Sequence, residues 1–360
     1  ATLLGRTVLS VMVDPDDDLA EALYQNRRLQ SGPRVVAIGG GTGLGMLLRG
    51  LKKHTNNITA VVTVADDGGS SGKLREDFNL LPPGDVRQCL TALADSESLM
   101  HDIMEYRFTR GQGLQGHSLG NLLIAAMADL NDGNFERGVN AISEVLRVRG
   151  RILPSTLSHV KLAAEMTDGS IVRGESRIRS AGKPIERVFI EPRHASANGE
   201  AIKEILSADI IILGPGSVFT SVIPNLLVPD VATAVRASGA LKIYVCNVAT
   251  EPGETDGYDP SDHVRSVTQH VGAGLFQYTL ANSNTRVGLH PSGGARMVEF
   301  DPSVQLELLD AGVQPVMADV VDAEDSRHHD PDMLASAIMN MHDQVSKGQP
   351  PIPIAVGASR

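Results

Sequence analysis
Between Gly39 and Gly45 five of seven residues are glycine, Thr42 and Leu44 being the exceptions. A turn of this kind, set between an apolar run and a helical pattern, aims unpaired backbone N–H groups and the positive end of a helix at one point. That chemistry suits a phosphate or a diphosphate. Gly40, Gly41, Thr42 and Gly43 are the residues expected to touch the anion. Neither G-x-G-x-x-G nor G-x-x-x-x-G-K-[ST] can be drawn through the stretch, so it is an anion-binding turn without the dehydrogenase or P-loop fingerprint. Asp66 and Asp67 fall where a doubly wound domain places its ribose-binding acid, or where two carboxylates would hold Mg2+ against a diphosphate. Asp85 and Arg87 offer a carboxylate and a guanidinium near a helix start, for a sugar hydroxyl or a phosphate. His117 is a donor to a phosphoryl oxygen, an acid, or a plain loop residue, and it stands beside Ser118, a natural helix cap, and Asn121. Gly214, Gly216 and Ser217 repeat the glycine turn. Asn247 and Thr250 bring amide and hydroxyl groups that read a base or a sugar, and Arg327 opens a late Arg-His-His cluster.

No Ser-His-Asp order, catalytic carboxylate pair or zinc spacing emerges, so residue chemistry stops at a phosphate-bearing ligand. NAD is an alternative ligand, with Asp66 as its ribose acid and without hydride transfer.

These residues need strands that end at a common edge. Val35 to Ile38, Ile58 to Val64, Ile210 to Leu213 and Leu241 to Cys246 are short apolar runs that read as buried parallel strands. Each stops in a polar, glycine-rich loop: Gly39 to Gly45, Asp66 to Gly72, Gly214 to Ser217 and Asn247 to Thr255. Open α/β sheets bind ligands outside the carboxyl ends of their strands, so the four loops predict one large cleft. Helical spacing follows at Leu44, Leu47, Leu48 and Leu51, at Val86, Cys89, Leu90 and Leu93, and, after Ser118, along Leu119 to Leu130. Ser261-Asp262-His263 caps a later helix, and Asp330-Pro331 starts the last one. Further strands are expected around Tyr278 to Ala281, Met297 to Phe300 and Val316 to Val321. Residues 151–190 alternate in short segments, with Asp168-Gly169 as a hairpin turn between Val160 to Met166 and Ile171 to Arg177. The expected fold is therefore α/β, a Rossmann-like, doubly wound, mostly parallel sheet over 33–330. An antiparallel insertion at 151–190 serves as a lid or dimer arm, and an arm (1–32) and a helix with tail (331–360) flank the domain.

With 360 residues and a hydrophobic share of 42% the chain can bury a sizeable core, and the net charge of -11 leaves no basic face for a nucleic acid. Aromatics are 3% with no Trp, which disfavours a base-stacking platform. Cys89 and Cys246 lie in apolar runs without metal spacing and read as reduced core residues of a cytoplasmic protein. The apolar run Leu3 to Val13 is broken by Gly5, Arg6 and Thr7 and is short of the ~20 residues of a membrane span. No membrane partner is expected of the chain as given, and no signal-peptide layout is visible.

Six motifs in order, GGGTGLG, TVADDGGSSGKLR, LPPGDVRQCL, GHSLGNLL, GPGSVFTSVIPNLLV and CNVATEPGET, resemble the YvcK-like gluconeogenesis factors, which are grouped with the 2-phospho-lactate transferases of CofD type. The resemblance runs from about Arg34 to Arg327. It implies a Rossmann-like fold, a cytoplasmic location, and binding of a UDP-sugar such as UDP-N-acetylglucosamine in support of cell-envelope growth on gluconeogenic carbon sources. No reaction is attached to that branch, and a homo-oligomer is expected. It also implies that Thr42 with its glycines, Asp66, Asp67, Asn247 and Arg327 touch the ligand. Two departures stand out. The usual Met-Thr-Gln before Pro-Gly-Glu-Thr is Ala249-Thr250-Glu251 here, an amide replaced by a carboxylate. The usual Asp in a later strand is missing from Leu275-Phe276-Gln277-Tyr278.

Overall fold
A computed structural model describes residues 27–95, 97–284 and 294–351. The expected N-terminal arm lies outside the described residues apart from 27–32, as does most of the tail after Gln349. Seven strands form the main sheet: β1 (Val35–Gly39), β2 (Ile58–Val62), β3 (Arg151–Pro154), then, after an insertion, β7 (Ile210–Leu213), β8 (Leu241–Val245), β9 (Tyr278–Asn282) and β10 (Gln314–Ala318). Their order is β10-β9-β8-β7-β1-β2-β3. All six pairings are parallel. β1, β2, β7 and β8 are buried at every position, as strands covered on both faces must be. The chain proceeds outward from β1 through β2 to β3 on one side and from β7 to β10 on the other. The reversal of direction therefore falls between β1 and β7, and a crevice opens there at their carboxyl ends.

The Gly41–Leu51 helix packs Leu44, Leu47, Leu48 and Leu51 into the core. The last helix, Pro331–Ser346, is capped by Asp330 and lies on the Gly41–Leu51 helix. Their approach is set at Gly50, where a Cβ would come 1.9 Å from the Pro331 carbonyl oxygen.

The insertion is a three-stranded antiparallel sheet ordered β5-β4-β6, made of β4 (Lys161–Met166), β5 (Ile171–Arg173) and β6 (Ile185–Glu191). Gly169, at φ +80°, turns the expected hairpin, with the Asp168 carboxylate accepting from the Ser170 N–H. Two boundaries differ from the sequence expectation. Arg151–Pro154 does not belong to the insertion: it is the parallel edge strand beside β2, a role that non-local pairing decides. β5 stops at Arg173, and the helix Glu175–Ser180 replaces the rest of the expected strand after Gly174, at φ +99°. Elsewhere, Met297 makes a single bridge to Ala249 instead of a strand. Asp259, two residues before Ser261, caps the Pro260–Val271 helix, in a capping box with Asp262. Leu130, expected on a buried face, is 78% exposed, and Ala126 one turn before it is exposed as well, so this end of the face meets solvent. Both cysteines are free and buried. Among the described residues no single helix is long and apolar enough to cross a membrane.

Candidate functional site
The crevice between β1 and β7 is a cleft of about 520 Å³. Gly40 to Gly43 form one wall and Pro215 to Ser217 the facing one. The two turns touch through their backbones: a Cβ at Gly43 would lie 2.7 Å from the Pro215 carbonyl oxygen, so only glycine permits the contact. Gly41, at φ +66°, opens its helix, and Gly40 supplies no capping side chain. Asp85 acts as the cap instead, its Oδ1 accepting the Gly41 N–H at 2.9 Å. A protein carboxylate thus already sits at this helix end, while the Thr42 and Gly43 amides are first-turn donors with no intrahelical partner. On the facing wall the Gly216 N–H donates to Asn247 Oδ1 at 3.1 Å, and Asn247 Nδ2 donates to Glu251 Oε1 at 3.2 Å. The carboxylate that departs from the family pattern is thus tied to the loop asparagine.

Five carboxylates line the cleft, Asp66, Asp85, Glu175, Glu251 and Glu254, against the guanidiniums of Arg179 and Arg327. Burial and crowding raise the pKa of four of these acids. Burial, with the Asp66 charge beside it, pushes Asp85 up to about 7 against the pull of the Gly41 N–H. Burial also raises Glu175 to about 9; Arg179 pulls it back, and Asp85, Asp66 and Glu254 push it further. Glu251 and Glu254 are both raised, chiefly by burial, and Glu251 is raised further by its neighbour Glu254. Ser217 Oγ donates to Glu254 Oε2 and accepts the Thr220 N–H at 3.1 Å. Arg327 sits at the rim, gripped by Asp325 through Nε at 2.9 Å and Nη2 at 2.8 Å. Thr250 is buried and held to the Arg296 backbone by two hydrogen bonds, of 2.7 and 2.9 Å.

Of the residues singled out from sequence, Gly40, Gly41, Thr42, Gly43, Asp66, Asp85, Gly216, Ser217, Asn247, Thr250 and Arg327 share this cleft. Six do not line it. Gly214 serves the turn itself, at φ +81° and close against the Val245 carbonyl. Asp67 is exposed and turned toward the insertion, where its Oδ1 accepts the Ser176 N–H at 3.1 Å. Asp66 and Asp67 therefore do not face the cleft together as the expected Mg2+ pair: both lie in the loop beyond β2, where Asp66 accepts the Gly68 N–H while Asp67 turns to the Glu175–Ser180 helix. Among the described residues no group of three or more His, Cys, Asp or Glu side chains is arranged to hold a metal ion.

Arg87, His117, Ser118 and Asn121 form a buried polar network behind the Asp66 loop. Arg87 donates to Asn121 Oδ1 at 3.0 Å and pairs with Glu105. Ser70 Oγ lies 3.0 Å from His117 Nδ1 and accepts from Asn121 Nδ2 at 3.1 Å, while Ser118 caps its own helix. These groups satisfy one another, which is why they are buried in place of facing a ligand.

Sequence reasoning passed over Glu175, Arg179 and Gln88. The first two come from a helix of six residues, too short for a periodic pattern, although Gly174 before an i,i+4 Glu-Arg pair was a readable signal. Gln88 borders the cleft, and its Oε1 is shielded from solvent without a hydrogen-bond partner.

A family profile described as 2-phospho-L-lactate transferase CofD matches residues 35–321, which takes in every strand and all cleft residues except Arg327, His328 and His329. The chain is 51% identical over 288 residues to a Clostridium acetobutylicum protein, covering 79% of this chain and 63% of that longer relative. It is 45% identical over 314 residues to a Bacillus subtilis protein described as a gluconeogenesis factor, covering 86% of this chain and 98% of the relative. A crystal structure of a UPF0052-family protein from Bacillus halodurans matches with TM-score 0.79 at 43% identity, over 86% of this chain and 99% of that one. Sequence motifs, sheet order and fold agree: the chain belongs to the CofD family, in its gluconeogenesis-factor branch.

Proposed function
We propose that the cleft binds a nucleoside-diphosphate sugar of the UDP-N-acetylglucosamine kind, and that the chain acts as a cytoplasmic, homo-oligomeric regulatory protein of the gluconeogenesis-factor type, supporting cell-envelope growth on gluconeogenic carbon sources. One observation carries the binding part: two glycine turns meet in backbone contact at the sheet's switch point. This is where open α/β sheets hold phosphates. In this reading the Thr42 and Gly43 amides face the diphosphate. The Asn247–Thr250 loop and Arg327 face the nucleoside or sugar, and the acids of the cleft, with Gln88 Oε1, accept sugar hydroxyls. Titration calorimetry with UDP-N-acetylglucosamine tests it. Wild type is expected to bind, and Thr42→Arg, which fills the wall, to lose at least roughly tenfold, about 1.4 kcal/mol. NAD serves as competitor. Equal affinity in both proteins would remove the site assignment, and stronger binding of NAD would replace the ligand class.

A second reading is supported by membership of a family described as a transferase. An Asp85 carboxyl that titrates near neutrality is suited to take a proton from an attacking alcohol. The Asp66–Asp67 pair does not fit a two-carboxylate Mg2+ site, so no step is routed through the metal. Incubation with nucleotide-activated phospholactate and a deazaflavin alcohol is the assay. Product marks the transferase, and bound nucleotide without turnover marks the regulator.

A further inference from the structure
One of the cleft's two guanidiniums does not belong to the parallel sheet. Arg179 reaches in from the Glu175–Ser180 helix of the insertion. Its Nε donates to Glu254 Oε1 at 3.2 Å, and its Nη2 donates to Thr220 Oγ1 at 2.9 Å and lies 3.1 Å from Glu175 Oε1. The partners are sequestered, with side chains 3% exposed for Glu254 and 12% for Glu175, whereas the Arg179 side chain is 50% exposed. The guanidinium is thus oriented from behind and open in front. Among the described residues its contacts run through Nε and Nη2, and a guanidinium carries five N–H donors in a planar fork suited to phosphate. The other guanidinium of the cleft, Arg327, has both Nε and Nη2 committed to one carboxylate.

Charge and backbone geometry place Arg179 in the same field as the glycine turn. Asp85, which accepts the Gly41 N–H, also feels the Arg179 charge. The insertion is anchored there from both sides: Asp67 holds the Ser176 N–H, and a Cβ at Gly253 would lie 3.3 Å from the Arg179 carbonyl oxygen.

We propose that Arg179 is the specificity-determining residue of the cleft. It selects for the phosphate next to the Gly41–Gly43 turn, so that the antiparallel insertion joins the glycine turn of the sheet in setting the requirement for a phosphorylated ligand. The proposal rests on the reading of the cleft as a nucleoside-diphosphate-sugar site.

The experiment compares wild type, Arg179→Lys and Arg179→Gln for binding of UDP-N-acetylglucosamine, UDP, uridine and inorganic pyrophosphate. Near-UV circular dichroism checks that each variant is folded. Arg179→Gln is expected to weaken UDP and the UDP-sugar at least roughly tenfold while leaving uridine within about twofold, with Arg179→Lys between the two. Equal losses for uridine and UDP would show that Arg179 only braces the cleft, and unchanged UDP binding would show that it does not meet phosphate. Either result overturns the proposal. If wild type binds no nucleotide, the ligand reading fails on its own. Pyrophosphate then decides about Arg179: affinity lost in Arg179→Gln supports it, and absent or unaltered pyrophosphate binding overturns it.

Discussion

Asp85 gains its role from where it is held. Its carboxyl serves as the helix cap that Gly40 cannot supply, yet burial and Asp66 raise its pKa from the ordinary 3.8 to about 7. Between those two values the folded protein keeps a proton that the unfolded chain has lost. Stability attributable to this group is therefore undiminished below about pH 4, falls as pH rises through the window, and is lowest above pH 7, by at most ~4 kcal/mol. Asp85→Asn keeps an acceptor for the Gly41 N–H and removes the charge. The variant is expected to gain stability over wild type at pH 8 and to lose most of that advantage at pH 4, as read from urea denaturation midpoints. A pH-independent difference would mean that Asp85 titrates like an ordinary carboxylate. At this scale the sequence was readable for residues within a few positions of a strand's carboxyl end, such as Thr42, Asp66 and Asn247, which line the cleft. It was misleading for Arg87 and His117, whose mutual satisfaction with Asn121, Glu105 and Ser70 depends on helices brought together from distant segments.

Helix contacts separate folding from binding in a way that two glycines can test. Gly43 and Gly50 lie on the same helix, seven residues apart and on similar faces of it. Gly43 meets the Pro215 backbone at the cleft, whereas Gly50, one turn beyond the cleft-lining Met46, meets Pro331 and Ala335 of the last helix and does not itself line the cleft. An alanine methyl at Gly50 has no room, with the Pro331 oxygen at 1.9 Å and the Ala335 Cβ at 2.8 Å. Gly50→Ala is expected to lower stability by about 1–3 kcal/mol or more while the folded fraction retains ligand affinity. Gly43→Ala is expected to lose stability to a similar or smaller degree and to lose affinity as well, because it pries the two turns apart. Urea midpoints and calorimetry on both variants check this, and the pattern fails if Gly50→Ala binds as poorly as Gly43→Ala. The strand–turn–helix units were legible because apolar runs and glycines punctuate them. The helix Glu175–Ser180 was not, since one and a half turns contain too few residues to show a period.

At the scale of the whole molecule, the sequence announced parallel strands and a hairpin but not which strand adjoins which. The order β10-β9-β8-β7-β1-β2-β3 puts β1 next to a strand about 175 residues away, as the Arg34 N–H to Asp209 contact across 175 positions shows. Non-local pairing of this kind is what made Arg151–Pro154 look like part of the insertion when it is the edge of the main sheet. The same topology makes the cleft a seam between two bodies of secondary structure, the large sheet and the small antiparallel one, joined there by Arg179, Asp67 and the Glu254 loop. Exposed connections open locally at lower free energy than buried strands. In the ligand-free protein the Glu175–Ser180 helix, with Arg177, Arg179 and Ser180 exposed, is therefore expected to exchange its amide hydrogens well before β1 and β7. Saturating UDP-N-acetylglucosamine is expected to slow exchange in two stretches distant in sequence, the Glu175–Ser180 helix and the Val218–Val222 turn, because one guanidinium ties both to the bound phosphate. Hydrogen exchange read by mass spectrometry measures this directly. Protection confined to the glycine turns, with the insertion unchanged, would place the ligand on the sheet alone and leave the insertion outside the site.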